Sequence, residues 1–398
     1  MSVTYPLGFR AAGMSAGLKP SGRPDLALLI GDPGTTVAGL FTTNRVAAAP
    51  VRYCKEVLST DRGRALVVNS GQANAATGER GEADVRTTVA AAAEALGLEP
   101  ADMLACSTGV IGEPLHLDAM LPALPPLAAT LSRDGGADFA RAIMTTDTVE
   151  KQATADAAAF RVGGCAKGVG MIAPNLATML VFVTTDAAVS SGDLQRLADE
   201  QLKPRFNALT VDACTSTNDT VLVFASGAAG EGSQVAPGAA AWDALGGALG
   251  EVGESLLSQL AADAEGANHV LLIDVEGAAT EHDARVVAKA VADSPLVKTA
   301  AFGGDPNPGR ILQAVGSSGV DVDPANIDIS IGDVRLVENG VIPPAYFGHD
   351  SLDMAARVAM KEPEIRIYVS VGDGPGRSRA LGCDLSYEYV RINGEYTT

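Results

Sequence analysis

Lys167-Gly-Val-Gly-Met-Ile-Ala-Pro-Asn-Leu-Ala-Thr178-Met-Leu-Val-Phe-Val-Thr-Thr-Asp186 opens as a glycine-broken loop and closes as an apolar, β-branched run from Met179 to Val183. The second half reads as a buried strand. At the junction stands Thr178, preceded by the small residue Ala177. A hydroxyl where a loop enters a core strand suits a self-cleaving precursor. Its oxygen would attack the Ala177 carbonyl, the peptide would shift to an ester, and hydrolysis would free a new amino terminus. That terminus would carry a threonine hydroxyl and its own α-amine, a nucleophile and base in one residue. The competing reading is an ordinary strand threonine, since threonine favours strands.

Outward from this stretch, the periodicity predicts strands and helices on both sides. Leu26–Ile30, Val37–Thr43, Ala65–Asn69 and Met103–Ser107 read as strands, and Glu79–Leu98 and Ala137–Met144 as helices. From Leu115 to Leu131 the prolines predict only short helices. Further on, Ser191–Asn207, Ala239–Ala262 and Asp283–Ala292 read as helices. Leu209–Asp212, Val221–Phe224, Val270–Val275, Ile327–Ile331, Val334–Val337, Glu364–Val371 and Tyr387–Ile392 read as strands. The pattern implies an α+β fold with helices layered on sheets.

Composition narrows the function. The 398 residues, 47% of them hydrophobic, can bury a large core in two or more lobes, and with 4% aromatics that core must use small and β-branched side chains. A net charge of −19 argues against nucleic acid or an anionic membrane as partner, because both need a basic footprint. Cys54, Cys106, Cys165, Cys214 and Cys383 show no paired spacing, which reads as reduced thiols and a cytoplasmic setting. Four histidines, none in a ligand pattern, predict no metal site. Gly163–Gly170 lacks the Gly-Lys-Ser/Thr ending of a phosphate-binding loop and is assigned no nucleotide role.

The stretch Lys167–Leu180 resembles the cleavage motif of the glutamate N-acetyltransferase (ornithine acetyltransferase) family. Further segments resemble that family in the same order: Gly8-Phe-Arg-Ala-Ala-Gly, Val37–Asn44, Asn69-Ser-Gly-Gln-Ala-Asn-Ala, Ser107-Thr-Gly-Val-Ile-Gly112, Met144–Thr148, Thr215-Ser-Thr-Asn-Asp-Thr220, Ser294–Thr299 and Asn393–Thr398. The resemblance implies the layered β/α fold of the ornithine acetyltransferase and aminopeptidase-like group, self-cleaved between Ala177 and Thr178 into interwoven chains 1–177 and 178–398. It implies Thr178 as nucleophile, with the Thr108 side chain and the Gly109 N–H as the oxyanion hole. Lys167, Thr145 (Thr146 is not excluded by counting), Thr178, Glu265, Asn393 and Thr398 would contact substrate, Glu265 by reading its amino group. The implied substrates are N-acetylornithine and glutamate, with acetyl-CoA open as a further donor and no cofactor required. A dimer of cleaved pairs, a heterotetramer, is the implied assembly.

Three places depart from the family pattern. Ala213-Cys214 stands where Gly-Asp is usual, His269 where lysine is usual, and Pro308 where tryptophan is usual. They leave two alternatives open beside acetyl exchange: a paralogous acyltransferase or amidohydrolase of specialised metabolism, and a non-catalytic binding protein of the same fold. Retention of Thr178, Thr108, Gly109 and Lys167 together speaks against the second.

Overall fold

A computed structural model describes residues 2–157, 159–172, 179–230, 234–348 and 351–395. Ala177, Thr178 and Thr398, singled out above, lie outside the described residues. Contacts divide the chain into two compact units, Met1–Asn207 with Cys214–Leu260, and Ala208–Ala213 with Ala261–Thr397. This division by packing is a different matter from the expected covalent division at Thr178, which falls within the first unit's span.

The first unit carries β1 (Phe9–Met14), β2 (Leu26–Gly31), β3 (Thr36–Phe41), α1 (Ala49–Leu58), β4 (Ala65–Gln72), α2 (Gly78–Leu96), β5 (Met103–Val110), α3 (Leu117–Ala129) and α4 (Gly136–Ala142). It continues with β6 (Lys151–Ala157), β7 (Phe160–Lys167), β8 (Leu180–Thr185), α5 (Ser191–Leu197), α6 (Lys203–Phe206), β9 (Thr220–Ala225) and α7 (Ala240–Ala262). One sheet runs β1-β2-β4-β5 and a second runs β3-β9-β8-β7-β6. Apolar side chains of both sheets, among them Leu29, Val67, Phe182 and Phe224, join one core with α2 and α3. Phe139 of α4 meets Phe182 of β8 edge to face at 5.5 Å, the favoured geometry for an aromatic pair. Behind the second sheet, Gly164 of β7 leaves room for Val252 and Leu256 of α7, which a side chain there would strike at 3.1–3.2 Å.

The second unit carries β10 (Val270–Gly277), α8 (Glu281–Asp293), α9 (Pro295–Phe302), α10 (Pro308–Gly316), β11 (Asp328–Ile331), β12 (Val334–Val337), α11 (Ser351–Ala359), β13 (Glu364–Ser370), β14 (Gly374–Cys383) and α12 (Tyr387–Glu395). Its sheet runs β12-β11-β13-β10-β14, with β10 parallel to β13 and antiparallel to β14. Ile365, Ile367 and Val369 alternate inward from β13 to join Val287 and Val291 of α8 in a core of its own. Alternation of this kind is what one buried and one open sheet face demand.

Mixed sheets with packed helices give the α+β class that the pattern implies, with four local corrections. Leu117–Ala129 is one helix despite Pro122, Pro125 and Pro126. Burial of Met120, Leu124 and Leu127 on a single stripe holds it together against the lost hydrogen bonds. Tyr387–Ile392, read as a strand, is helical. Ser386 Oγ accepts the Glu388 and Tyr389 N–H groups as a cap, and Arg391 pairs with Glu388 and Glu395 at helical spacing. Ser191–Asn207 is α5, a π-helical turn over Ala198–Leu202, and α6 rather than one regular helix. Leu209–Asp212 makes only a single bridge, Leu209 to Leu381, rather than a strand.

Candidate active site

Parallel pairing of β4 with β5 runs to the strand ends, where Ser70 faces Thr108 and Gly71 faces Gly109. Gly109 sits at φ +128°, and a Cβ there would lie 2.2 Å from the carbonyl carbon and oxygen of Gly71. Only glycine allows that conformation together with that approach. Just upstream, Ser107 Oγ donates to Asn69 Oδ1 at 2.5 Å, and Asn69 Nδ2 donates to the Gln72 carbonyl at 2.9 Å. The turn carrying Thr108 and Gly109 is thus braced from both strands.

Lys167 ends β7 opposite Leu180 of β8, which in turn faces Thr220 of β9, so the three lie in one row across the second sheet. The glycine-broken loop read from Lys167 onward begins one residue later, because Lys167 is the last residue of β7. The Lys167 ammonium reaches Thr108 Oγ1 at 3.2 Å, and both side chains are buried. An ammonium has no acceptor, so the threonine oxygen must accept, which leaves its own O–H to donate elsewhere. A hydroxyl donor beside a fixed cation is the chemistry that stabilises a developing oxyanion.

Two buried carboxylates complete this half of the site, and neither was given a role from the sequence. Asp147 Oδ1 accepts from Lys151 Nζ at 2.8 Å and from the Gly168 N–H at 2.9 Å, while Oδ2 accepts from the Thr145 N–H at 3.0 Å. Burial alone would raise its pKa, but Lys167 and Lys151 outweigh that and hold it at about 2. Asp147 therefore ties Thr145, Lys151 and the chain just beyond Lys167 to one point. Its signal was an acid–base pair four residues apart, Asp147 and Lys151, at the end of a quoted motif. Lys19 stands near the same charges. It donates to the Pro24 and Met144 carbonyls, and burial, with Lys167 adding repulsion against the pull of Asp25, lowers its pKa to about 8.

The second carboxylate, Asp219, belongs to the Thr215–Thr220 segment, which is wired on every side. Thr42 Oγ1 donates to the Ser216 carbonyl at 2.7 Å and the Ala48 N–H to that of Thr217 at 2.9 Å. Asn218 Nδ2 bridges the Ala73 and Ser107 carbonyls at 2.6 and 2.8 Å. Asp219 Oδ1 accepts the Met179 N–H at 2.9 Å, and the Thr220 N–H returns to the Met179 carbonyl at 3.1 Å. Asn218 and Asp219 together tie the start of β8 to the end of β5.

Glu265 and Asn393 meet in the second unit. Asn393 Nδ2 of α12 donates to Glu265 Oε2 at 2.9 Å. Gly266, at φ +68°, makes this possible, since a Cβ there would stand 2.4 Å from the Tyr389 nitrogen at the start of α12. Ser386 Oγ closes the same junction on the Gly266 carbonyl at 2.5 Å. The expected site residues thus form two local groups: Thr108, Gly109, Thr145 and Lys167 in one unit, Glu265 and Asn393 in the other.

Each departure from the family pattern has a local setting. Cys214 is exposed. His269 turns its Nδ1 to the Glu362 carbonyl at 2.7 Å. Pro308 occupies the first turn of α10 behind the Asn307 cap, where proline fits a helix best. Among the described residues no group of three or more His, Cys, Asp or Glu side chains is arranged to hold a metal, and no helix is long and apolar enough to cross a membrane.

Residues 10–398 match the ArgJ family. The arginine biosynthesis bifunctional protein ArgJ of Thermosynechococcus vestitus is 46% identical over 411 residues, covering 100% of this chain and 98% of that protein. The protein of the same name from Symbiobacterium thermophilum is 46% identical over 402 residues, again 100% and 98% of the two chains. Among solved structures, an ornithine acetyltransferase complexed with ornithine from Mycobacterium tuberculosis is 43% identical, covering 44% of this chain and 94% of that one, with a TM-score of 0.41. With a match across nearly its whole length and relatives at this identity end to end, the chain belongs to the ArgJ family.

Proposed function

We propose that this chain is a self-processing N-acetyltransferase of arginine biosynthesis, passing acetyl from N-acetylornithine to glutamate through an acetyl-threonine intermediate. The observation that carries it is the buried Lys167–Thr108 contact at 3.2 Å beside Gly109, in a chain whose full-length relatives are named bifunctional arginine biosynthesis proteins. Cleavage between Ala177 and Thr178 gives chains 1–177 and 178–398, and the new Thr178 amine becomes the base for its own hydroxyl. In the first half-reaction Thr178 Oγ bonds to the acetyl carbon while its proton passes to the α-amine. Thr108 O–H and Gly109 N–H hold the resulting oxyanion, and Lys167 adds positive charge beside it. The C–N bond then breaks and ornithine leaves with the proton from the ammonium. Glutamate's amine reverses the sequence and leaves as N-acetylglutamate, regenerating the enzyme.

Glu265, held by Asn393, supplies the carboxylate for the substrate's ammonium, and Thr145, Lys167 and Thr398 bind the rest of it. A cytoplasmic setting, an assembly of two cleaved pairs, and acetyl-CoA as a second donor belong to the same reading. The paralogous acyltransferase or amidohydrolase gains no support from Cys214, His269 or Pro308, whose settings are local. The test is initial-rate kinetics with N-acetylornithine and glutamate both varied. Parallel double-reciprocal lines, with one acetyl group on the Thr178 peptide when glutamate is omitted, support the reading. Absence of exchange alongside turnover of another acyl donor would overturn it.

A further inference from the structure

Lys19 has no part in the proposed chemistry, yet the first unit anchors it against the turn that carries Gly109. Asp25, wholly buried, accepts the Ala16 N–H on Oδ1 at 2.6 Å and the Leu18 and Lys19 N–H groups on Oδ2 at 2.7 and 3.0 Å. Its own carbonyl accepts the Ser70 N–H of β4 at 2.8 Å. Residues 16–19 are thus wound around one carboxylate and pinned to β4. Gln72 Nε2 donates to the Leu18 carbonyl at 3.0 Å. That carbonyl oxygen would lie 3.0 Å from a Cβ on Gly71, the residue that faces Gly109. From this anchored loop the Lys19 ammonium reaches the Met144 carbonyl at 2.6 Å and the Pro24 carbonyl at 2.8 Å. Met144 immediately precedes Thr145, whose N–H is held by Asp147 together with that of Gly168.

An ammonium has three N–H donors, and Lys19 spends two of them, both on neutral carbonyls. Among the described residues no acceptor takes the third, and no carboxylate lies within ion-pair distance of Nζ. The nearby acids are committed elsewhere, Asp25 to three backbone N–H groups and Asp147 to Lys151, Gly168 and Thr145. The charged groups acting on Lys19 are Asp25, Lys167, Asp147 and Arg23. A half-buried cation with no ion-pair partner, in the field of a second, buried cation, is a place for an anion. We propose that Lys19 is a specificity-determining residue whose third N–H binds the α-carboxylate common to N-acetylornithine and glutamate, with Lys167 as the second positive charge. The inference rests on the proposed acetyl transfer. In both half-reactions the bond made or broken is at the α-nitrogen, which the α-carbon alone separates from that carboxylate. A cation held beside the oxyanion turn therefore meets the α-carboxylate, whichever side chain the amino acid carries. No proton or electron pair passes to Lys19, which only binds and orients.

The experiment measures kcat/KM for N-acetylornithine and for its α-carboxamide, in wild type and Lys19→Gln, at stepped pH. Within each enzyme the acid-to-amide ratio cancels the fraction that folds and every group acting equally on both donors. Loss of the charged contact should lower that ratio about 10- to 100-fold in Lys19→Gln at neutral pH. Because kcat/KM reports the free enzyme, the wild-type ratio should fall as the pH rises through about 8, where Lys19 gives up its proton, and the Lys19→Gln ratio should stay flat. An unchanged ratio in Lys19→Gln overturns the inference, whatever the absolute rates. Should Lys19→Gln turn over neither donor, the wild-type profile decides: a falling ratio supports the inference and a flat one overturns it. Wild type that takes no acetyl from N-acetylornithine sinks the proposed function itself, so the wild-type rate tells the two failures apart.

Discussion

Replacing Asp147 by alanine removes a carboxylate that makes three contacts of the candidate site at once. The Asp147–Lys151 pair spans 2.8 Å with both side chains wholly buried. Breaking such a pair from one side costs about 3–5 kcal/mol, because the remaining charge loses its counter-charge in a place water does not reach. The electrostatics give an independent scale. Asp147 is held at about 2 against an ordinary 3.8, worth about 2 kcal/mol at neutral pH. The bonds from Thr145 and Gly168 to the charged oxygens supply the rest. The assay is urea unfolding of wild type, Asp147→Ala, Lys151→Met and the double variant at pH 7. Asp147→Ala should lose about 3–5 kcal/mol, and the double variant should lose less than Asp147→Ala alone. Because the folded pKa lies below the unfolded one, the aspartate's contribution is complete above about pH 4 and disappears as the pH falls toward 2. The gap between wild type and Asp147→Ala must therefore narrow over that window. A loss under about 1 kcal/mol, or strictly additive single-variant losses, would refute the reasoning.

Other parts of the site make separate predictions. Thr108→Val removes the hydroxyl but keeps the shape, so kcat for acetyl transfer should fall about 10²–10³-fold with KM little changed, as steady-state kinetics will read. Gly109→Ala should be worse, since its Cβ would collide with Gly71 at 2.2 Å on a φ of +128°; circular-dichroism melts should show a lowered Tm together with lost transfer. Asn393→Ala should leave stability within about 0.5 kcal/mol and raise KM for the donor about tenfold, because the exposed amide's role is to hold Glu265. Lys19, lowered to about 8, binds its proton less tightly folded than unfolded. Wild type should therefore gain stability relative to Lys19→Met as the pH rises from 8 toward 10, which unfolding at stepped pH will test.

The strands that the sequence announces include both fully buried apolar runs and the alternating β13. Every residue of β8, from Leu180 to Thr185, is buried, and so are all six of β9; apolar runs of this kind are unambiguous. By contrast β6 exposes Thr154 and Asp156 in alternation, and β14 carries Gly374, Gly376, Arg377 and Arg379 among its buried residues. Such half-exposed strands offer little hydrophobic contrast, and neither was foreseen. The α12 segment misled because Tyr387, Tyr389, Val390 and Ile392 suit strands locally, whereas the Ser386 cap and the Arg391 ion pairs decide for helix. At the site, motifs located Thr108, Gly109 and Lys167, yet the need for glycine at 109 arises from Gly71 on a neighbouring strand. Asp147, Asn218 and Asp219 also lay inside quoted motifs. Their roles depend on backbone groups of Gly168, Ala73, Ser107 and Met179, which only the fold brings within reach.

Under the proposed function, Thr178 is freed as an amino terminus and carries the acetyl group. Intact-mass and peptide analysis of wild type and Thr178→Ala, each after exposure to N-acetylornithine alone, tests it most directly. Wild type should separate under denaturing conditions into chains 1–177 and 178–398, with one acetyl group on the Thr178 residue, whereas Thr178→Ala should stay whole and unacetylated. A single uncut wild-type chain that still exchanges acetyl, or a cleaved and acetylated Thr178→Ala protein, would contradict it.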